Sequence, residues 1–467
     1  MVFSDLFFLY AFLPLCMLFY FMRKNMTWRN VILVIFSLLF YAWGEPLWII
    51  ILIDSTIINY CCGLVIEHYR GTKLAKAGVV ISLLVSLGLL AVFKYSDFVV
   101  ENLNAILPFD IPAPNIALPI GISFYTFQIL SYILDAYWGK VKVQHSPLKF
   151  LMFVSLFPQL VAGPIVRYGV IEQEINDRHS TSADISYGMT RFIIGLGKKV
   201  IIANNLATVV DATLGGNMEA LSVFGCWYGV ICYAMQVYFD FSGYSDMAIG
   251  LGRIFGFHFN ENFNYPFICK NITEFWQRWH ISLGSFFRDY LLYVPIFGKR
   301  RQYLSLFLVW FCTGMWHGAS WNYIIWGLYF GVFIFIERKI GNKRLRKIPL
   351  VLTHIYSKIV IVLGFGIFYF EDLGRLGQFF AGLVGANGNA LTDLALQTTF
   401  MNNVFLFAAA IILCMPLIPA VKKWVMTKAA GAAVAGTAQI VCNVVLLAVC
   451  SIMLVNNTNN PFLYLIF

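Results

Sequence analysis

From Tyr303 to Ile336 this chain carries no Asp, Glu, Lys or Arg, and inside that run sits a histidine, His317, between Trp316 and Gly318. A bilayer crossing takes about twenty apolar residues, so the run is too long for one helix and should break between Gly314 and Asn322. Runs of similar character recur at Leu6 to Met22, Val31 to Ile66, Ala77 to Phe93, Leu118 to Trp138, Ile355 to Phe370, Asn403 to Ile418 and Ala433 to Val455. Lipid gives backbone groups no hydrogen-bond partner, so spanning segments are helices or closed barrels. Barrel strands would read as short alternating segments, which these are not. The fold class is therefore an all-α, polytopic integral membrane protein with about 10–13 membrane segments, counting broken or re-entrant helices. Only 12% of the 467 residues are charged, half the share of about 25% in soluble domains, and no polar stretch is long enough to house one. We read residues 1–467 as a single transmembrane domain.

The net charge is +10, and its placement decides what it means. Lysines and arginines gather in short loops at Arg23, Lys24 and Arg29, at Lys73 and Lys76, at Lys140, Lys142 and Lys149, and from Arg338 to Lys347. That is the pattern of cytoplasmic loops beside a membrane, not of a nucleic-acid surface. Followed along the chain, it puts the N-terminus on the extracytoplasmic side of a plasma or inner membrane. It then predicts a helical hairpin over Val31 to Ile66 with its tip at Gly44-Glu45-Pro46, and an external loop from Lys94 to Ala117. The basic flank follows Leu6 to Met22 instead of preceding it, so this run reads as a retained span and not a cleaved signal. The ten cysteines lie mostly in apolar segments, where a thiol acts as a small hydrophobe, and none shows a metal-binding spacing.

Several segments are too polar or too broken for plain crossings. Phe150 to Val166, with Pro158 and Pro164, reads as a broken or re-entrant helix. Lys198 and Lys199 interrupt the run from Met189 to Val210 and predict a helix end or a bend. Gln236, Asp240 and Tyr244 share a helical face at four-residue spacing, which should point into the protein. Asn260 to Trp279 is polar and aromatic and suits an interface, and the helix expected from His280 to Val294 carries Arg288 and Asp289.

An ionisable side chain at membrane depth is costly and marks a site by default. His317, walled by Met315, Trp316 and Trp321, should be kept dry and neutral, the state a general base needs. His280, beside Arg278 and Trp279, has a competing reading as an interfacial histidine bonded to backbone. The two histidines have no HExxH or Glu-x-x-His companion, so no metal is expected. Gly243-Tyr244-Ser245-Asp246 begins like a nucleophile elbow, but Met247 stands where its second Gly belongs. Gly250-Leu251-Gly252 lacks the third Gly of a dinucleotide fingerprint.

Four runs, Tyr238 to Gly250 (YFDFSGYSDMAIG), Glu261 to Pro266 (ENFNYP), Glu274 to Tyr290 (EFWQRWHISLGSFFRDY) and Gly314 to Ser320 (GMWHGAS), resemble the alginate-acetylation branch of the membrane-bound O-acyltransferase family. The resemblance continues upstream through Leu118 to Trp138 and Phe157 to Arg167 and covers most of residues 1–340. It implies an O-acyltransferase built as a ring of helices around a central tunnel. It also implies that His317, the histidine of the WHG motif, is the essential catalytic residue and that His280, of the RWH motif, is the second. The expected donor is a cytoplasmic acyl thioester, acetyl-coenzyme A, used as a substrate with no permanently bound cofactor. The expected acceptor is a hydroxyl of an extracytoplasmic polysaccharide or cell-wall polymer, reached directly or through a partner acetyltransferase. Members of the branch continue FRDY with Tyr-Ile-Pro-Leu-Gly-Gly, where this chain has Tyr293-Val294-Pro295-Ile296-Phe297-Gly298.

On this reading His317 deprotonates the incoming hydroxyl or a carrier residue and promotes attack on the thioester carbonyl. Asp240, Tyr244, Arg278, Arg288, Asp289, Trp316 and Asn322 are the expected binding or orienting groups, and Lys198, Lys199 and Arg278 are candidates to attract the phosphates of coenzyme A. Two rivals stand beside it. One delivers D-alanine from a carrier protein to teichoic acid. The other, from a different class, is a transporter or flippase, for which buried charge and broken helices are also expected but an internal repeat is missing.

Overall fold

Prolines, glycines and charges decide where the helices of this chain stop, and most stops fall where the sequence predicts them. The computed structural model describes residues 1–161, 163–294, 299, 301–428, 431–455 and 462–463, and among these there are helices and no strand. The chain divides into two compact units, the first comprising Met1–Phe192, Tyr244–Glu261 and Asn459–Phe467, the second Ile193–Gly243 and Asn262–Thr458.

The first unit opens with a π-helical turn, Phe8–Phe12, that runs into α1 (Leu13–Met22). α2 (Met26–Gly44) and α3 (Ile49–His68) form the predicted hairpin, broken where Pro46 removes a backbone donor. α4 (Lys73–Asn104) corrects an expectation: it has 32 residues and passes through Lys94, Asp97 and Glu101, where an external loop was predicted. These charges recur at three- and four-residue spacing, so they ride one side of a helix whose backbone is already satisfied. At 1.5 Å per residue α4 is about 48 Å long and outreaches a hydrocarbon core of about 30 Å. α5 (Ile122–Tyr137) starts after Gly121, whose φ of 77° and close approach to the Leu160 carbonyl exclude a side chain. The segment predicted to be broken is α6 (Pro147–Ser155) and α7 (Phe157–Leu160), and at the break the Phe157 N–H donates to Ser37 Oγ at 3.0 Å. α8 (Tyr168–Asn176) and the first part of α9 (Ser182–Gly197) follow. The core is aromatic: Phe3, Phe8, Phe12, Phe40 and Phe157 meet at centroid distances from 5.0 to 6.5 Å. Where lipid tails are as apolar as the side chains, such shape-dependent contacts are what hold helices together.

In the second unit the dilysine does not end the helix. The backbone widens into π-helical turns over Lys198–Ala203 and continues as α10 (Asn204–Thr213). The long α11 (Val223–Ile254) is divided between the units after Gly243. α12 (Ile272–Arg278) and α13 (Ile281–Tyr290) are short. α14 (Gln302–His317) and α15 (Trp321–Ile340) split the uncharged run at the predicted place. They approach so closely that a Cβ on Gly314 would lie 2.3 Å from the Tyr323 carbonyl oxygen and one on Gly327 2.3 Å from that of Trp310. Small residues at a helix crossing permit this in a membrane. α16 (Asn342–Leu345), α17 (Leu350–Tyr369), α18 (Leu373–Leu383), α19 (Leu394–Leu413), α20 (Leu417–Met426) and α21 (Gly431–Val455) complete the unit. α18 was not predicted. Asp372 caps it by accepting from the Arg375 N–H at 2.7 Å. Among the described residues seven helices are long and apolar enough to cross a membrane, and Phe8–Met22 is a shorter apolar one.

Candidate functional site

His317 is the last residue of α14, and the chain leaves the helix there because Gly318 and Ser320 take extended backbone before α15 begins. The imidazole is 6% exposed. Three rings surround it: Trp316 at 5.0 Å, Trp326 of α15 at 4.8 Å and Phe368 of α17 at 5.2 Å. A Cβ on Gly318 would fall 2.2 Å from the Tyr323 ring, so the glycine after the histidine lets that ring lie against the turn. Asn322, fully buried, ties the start of α15 to the end of α17 through Nδ2 donations to the carbonyls of Ile367 at 3.3 Å and Phe368 at 3.2 Å.

His280 lies between α12 and α13 with φ 46° and ψ 54°, a left-handed conformation that costs a non-glycine residue on the order of 1–3 kcal/mol. Asn262 holds it there. The Ile281 N–H donates to the Asn262 carbonyl at 2.9 Å, while Asn262 Oδ1 accepts from the Ser282 N–H at 3.1 Å and the Ser282 hydroxyl at 2.8 Å. The same Oδ1 lies 3.2 Å from His280 Nδ1. An acceptor at Nδ1 favours the tautomer protonated there, with Nε2 as the basic nitrogen. The ring meets Phe241 edge-on at 4.6 Å and Trp316 at 5.7 Å. Burial pushes the imidazole well below its ordinary pKa, so it is neutral. Trp316 therefore stands between two buried histidines, in contact with both.

Behind Phe241 is a buried ion pair. Asp240 Oδ1 lies 2.6 Å from Lys199 Nζ, their side chains 2% and 4% exposed. Lys199 belongs to the π-helical turns, so the dilysine that interrupts the apolar run is divided in use, one lysine turned inward to Asp240. Lys199, one of the candidates to attract coenzyme A phosphates, is thus engaged with Asp240 in this structure. Arg278 is half-buried and engaged with Glu274 at 2.9 Å and the Asn264 carbonyl at 3.1 Å. Arg288 and Asp289 bond to each other at 2.8 Å on the outer side of α13, Arg288 exposed. Tyr244 belongs to the first unit, where it stacks on Phe3 at 4.7 Å. Of the predicted residues, then, Trp316 touches both histidines, Asn322 and Asp240 brace their surroundings, and Arg278, Arg288 and Asp289 are occupied by neighbours. Asn262, Ser282, Trp326 and Phe368 were missed. Asn262 and Ser282 carried a signal, as members of the ENFNYP and EFWQRWHISLGSFFRDY runs. The altered turn Pro295 to Gly298 lies outside the described residues.

Two buried imidazoles thus lie against one tryptophan in a helical membrane protein, and comparison with known proteins gives the class to which the chain belongs. The profile of MBOAT, the membrane-bound O-acyltransferase family, matches residues 139–370. The chain belongs to this family and is a multi-pass membrane O-acyltransferase. It is 41% identical over 384 residues to the probable alginate O-acetylase AlgI of Pseudomonas aeruginosa, covering 80% of this chain and 73% of that protein. It is 33% identical to the peptidoglycan O-acetyltransferase of Helicobacter pylori, covering 86% of this chain and 84% of the relative. With the teichoic acid D-alanyltransferase of Bacillus subtilis the identity is 34%, over 51% of this chain and 64% of the relative.

Proposed function

We propose that this protein moves an acetyl group from cytoplasmic acetyl-coenzyme A to a hydroxyl of an extracytoplasmic polysaccharide or cell-wall polymer, directly or through a partner acetyltransferase. The observation that carries the reading is the pairing of His317 and His280 across Trp316 in surroundings that exclude water. His317 is the general base. It takes the proton of the acceptor hydroxyl, the hydroxyl oxygen bonds to the thioester carbonyl carbon, and the carbon–sulfur bond breaks to leave the thiol after proton return. His280, neutral and fixed by Asn262, orients or shares that proton. Aromatic walls strengthen these interactions by lowering the local dielectric and keep water from competing for the acyl group. The distribution of positive loops supports an N-terminus outside and a donor side at Arg338 to Lys347. Acetyl is favoured over D-alanyl because similarity to the two O-acetyl-transferring relatives extends over 80% and 86% of the chain, against 51% for the D-alanyltransferase.

The test is release of label from radiolabelled acetyl-coenzyme A by proteoliposomes containing wild type or His317→Ala, with candidate acceptors and an extracytoplasmic acetyltransferase supplied. Wild type should turn over and the variant, equally folded, should lose about 10²–10⁴-fold in rate, the usual worth of a general base. Equal rates would overturn the assignment of His317. No turnover by wild type, with D-alanyl carrier protein supplied in parallel and consumed, would exchange the donor.

A further inference from the structure

α15 opens beside one histidine and ends under the segment that carries the other. Its first turn holds Asn322 and Tyr323 next to His317. Its last turn presents Glu337, a carboxylate only 3% exposed. Glu337 Oε1 accepts from the Ile272 N–H at 2.7 Å and the Tyr356 hydroxyl at 3.1 Å. Oε2 accepts from the Thr273 N–H at 2.8 Å and the Thr273 hydroxyl at 2.6 Å. All four contacts are donors, which a carboxylate satisfies and an amide does not, since its NH₂ would face an N–H.

The two N–H groups are the first of α12, where no intrahelical carbonyl can reach them. α12 has seven residues, too few to be stable alone. It is therefore a helix held by what it docks on. α17 supplies a second anchor just before it: Lys358 Nζ and Ser357 Oγ donate to the Cys269 carbonyl at 2.8 and 3.2 Å. α12 ends at Arg278, and His280 stands two residues later. Over its 20 residues, about 30 Å at 1.5 Å each, α15 thus connects the surroundings of His317 to the mount of His280.

We propose that Glu337 is a positioning residue for acyl transfer, clamping the start of α12 so that His280 is held in its left-handed turn against Trp316. The inference rests on the reading of the two histidines as the working pair. Its test uses the full-length protein in detergent and in proteoliposomes. In Glu337→Gln, kcat should fall at least tenfold with KM for the thioester within twofold of wild type. Modification of His280 by diethylpyrocarbonate, followed by peptide mass spectrometry, should quicken at least tenfold while that of His317 changes less than twofold. A folded Glu337→Gln with wild-type kcat and wild-type protection of His280 would overturn the proposal. If that variant does not fold, Thr273→Val combined with Tyr356→Phe removes two hydroxyl donors and leaves the carboxylate and helix N–H groups in place. This pair should lower kcat and expose His280 by threefold or more, and unchanged values of both would likewise overturn it. Should wild type transfer no acyl group, the acyltransfer reading fails, while protection of His280 still decides the role of Glu337.

Discussion

His280 combines two properties rarely found together, a left-handed backbone and complete burial of an ionisable ring. Because burial lowers its pKa in the fold, the unfolded chain binds a proton there first as pH falls below the ordinary histidine value of about 6.5. The stability this residue contributes is therefore present above about pH 6.5 and is lost on acidification. Asparagine tolerates the left-handed region and does not titrate, so His280→Asn keeps the backbone and removes the effect. We expect the melting temperature of wild type in detergent to drop more between pH 7 and pH 5 than that of His280→Asn; equal drops would contradict it. His317 was conspicuous in the sequence because a polar ring stands out in an uncharged, tryptophan-rich run, while His280, among charged neighbours, was singled out by its tryptophan and by the RWH motif. Asn262, which fixes His280 from eighteen residues away, was not, because its role exists only once the chain has turned back on itself.

Among the elements, breaks were the most legible feature and continuations the least. Proline and glycine announced the ends of α2, α6 and α14, but α4 runs on through Lys94, and at Lys198 and Lys199, where a helix end or a bend was expected, the helix widens into π-helical turns and continues. A charge ends a helix only if it cannot find water or a partner, and periodicity along one chain does not reveal partners. For the α14–α15 hairpin the expectation is steric. Gly314→Ala would force a Cβ to 2.3 Å from backbone that cannot yield cheaply, so it should cost about 1–3 kcal/mol. Gly88→Ala, on α4 with nothing within 4 Å, should be neutral, and thermal melts of the two variants check the contrast. For α11 the expectation is electrostatic. Asp240→Asn removes the negative charge paired with the buried Lys199 ammonium and should cost about 3–5 kcal/mol, whereas joint replacement by Lys199→Met and Asp240→Leu should recover most of it. Non-recovery in the double variant, read by the same melts, would show that the pair does more than neutralise itself.

For the whole molecule, composition alone established a helical membrane protein, and the motif order established its family. The same charge rule that assigns loops to sides makes a labelling prediction. A cysteine placed at Asn115 should react with a membrane-impermeant maleimide from outside intact cells, and one at Lys343 only after permeabilisation; the reverse pattern would invert the topology. Chain length is under constraint as well as chain chemistry. A π-helical turn is in effect one extra residue lodged in an α-helix, and here the turns over Lys198–Ala203 carry the lysine that meets Asp240. Deleting one residue other than Lys199 there would let the stretch close into a plain α-helix with the faces on either side nearly in phase, whereas the same loss in a regular turn of α9 or α10 rotates everything beyond it by about 100°. The gene should therefore tolerate a single-codon loss within the π-helical turns better than in the α-helical turns that flank them.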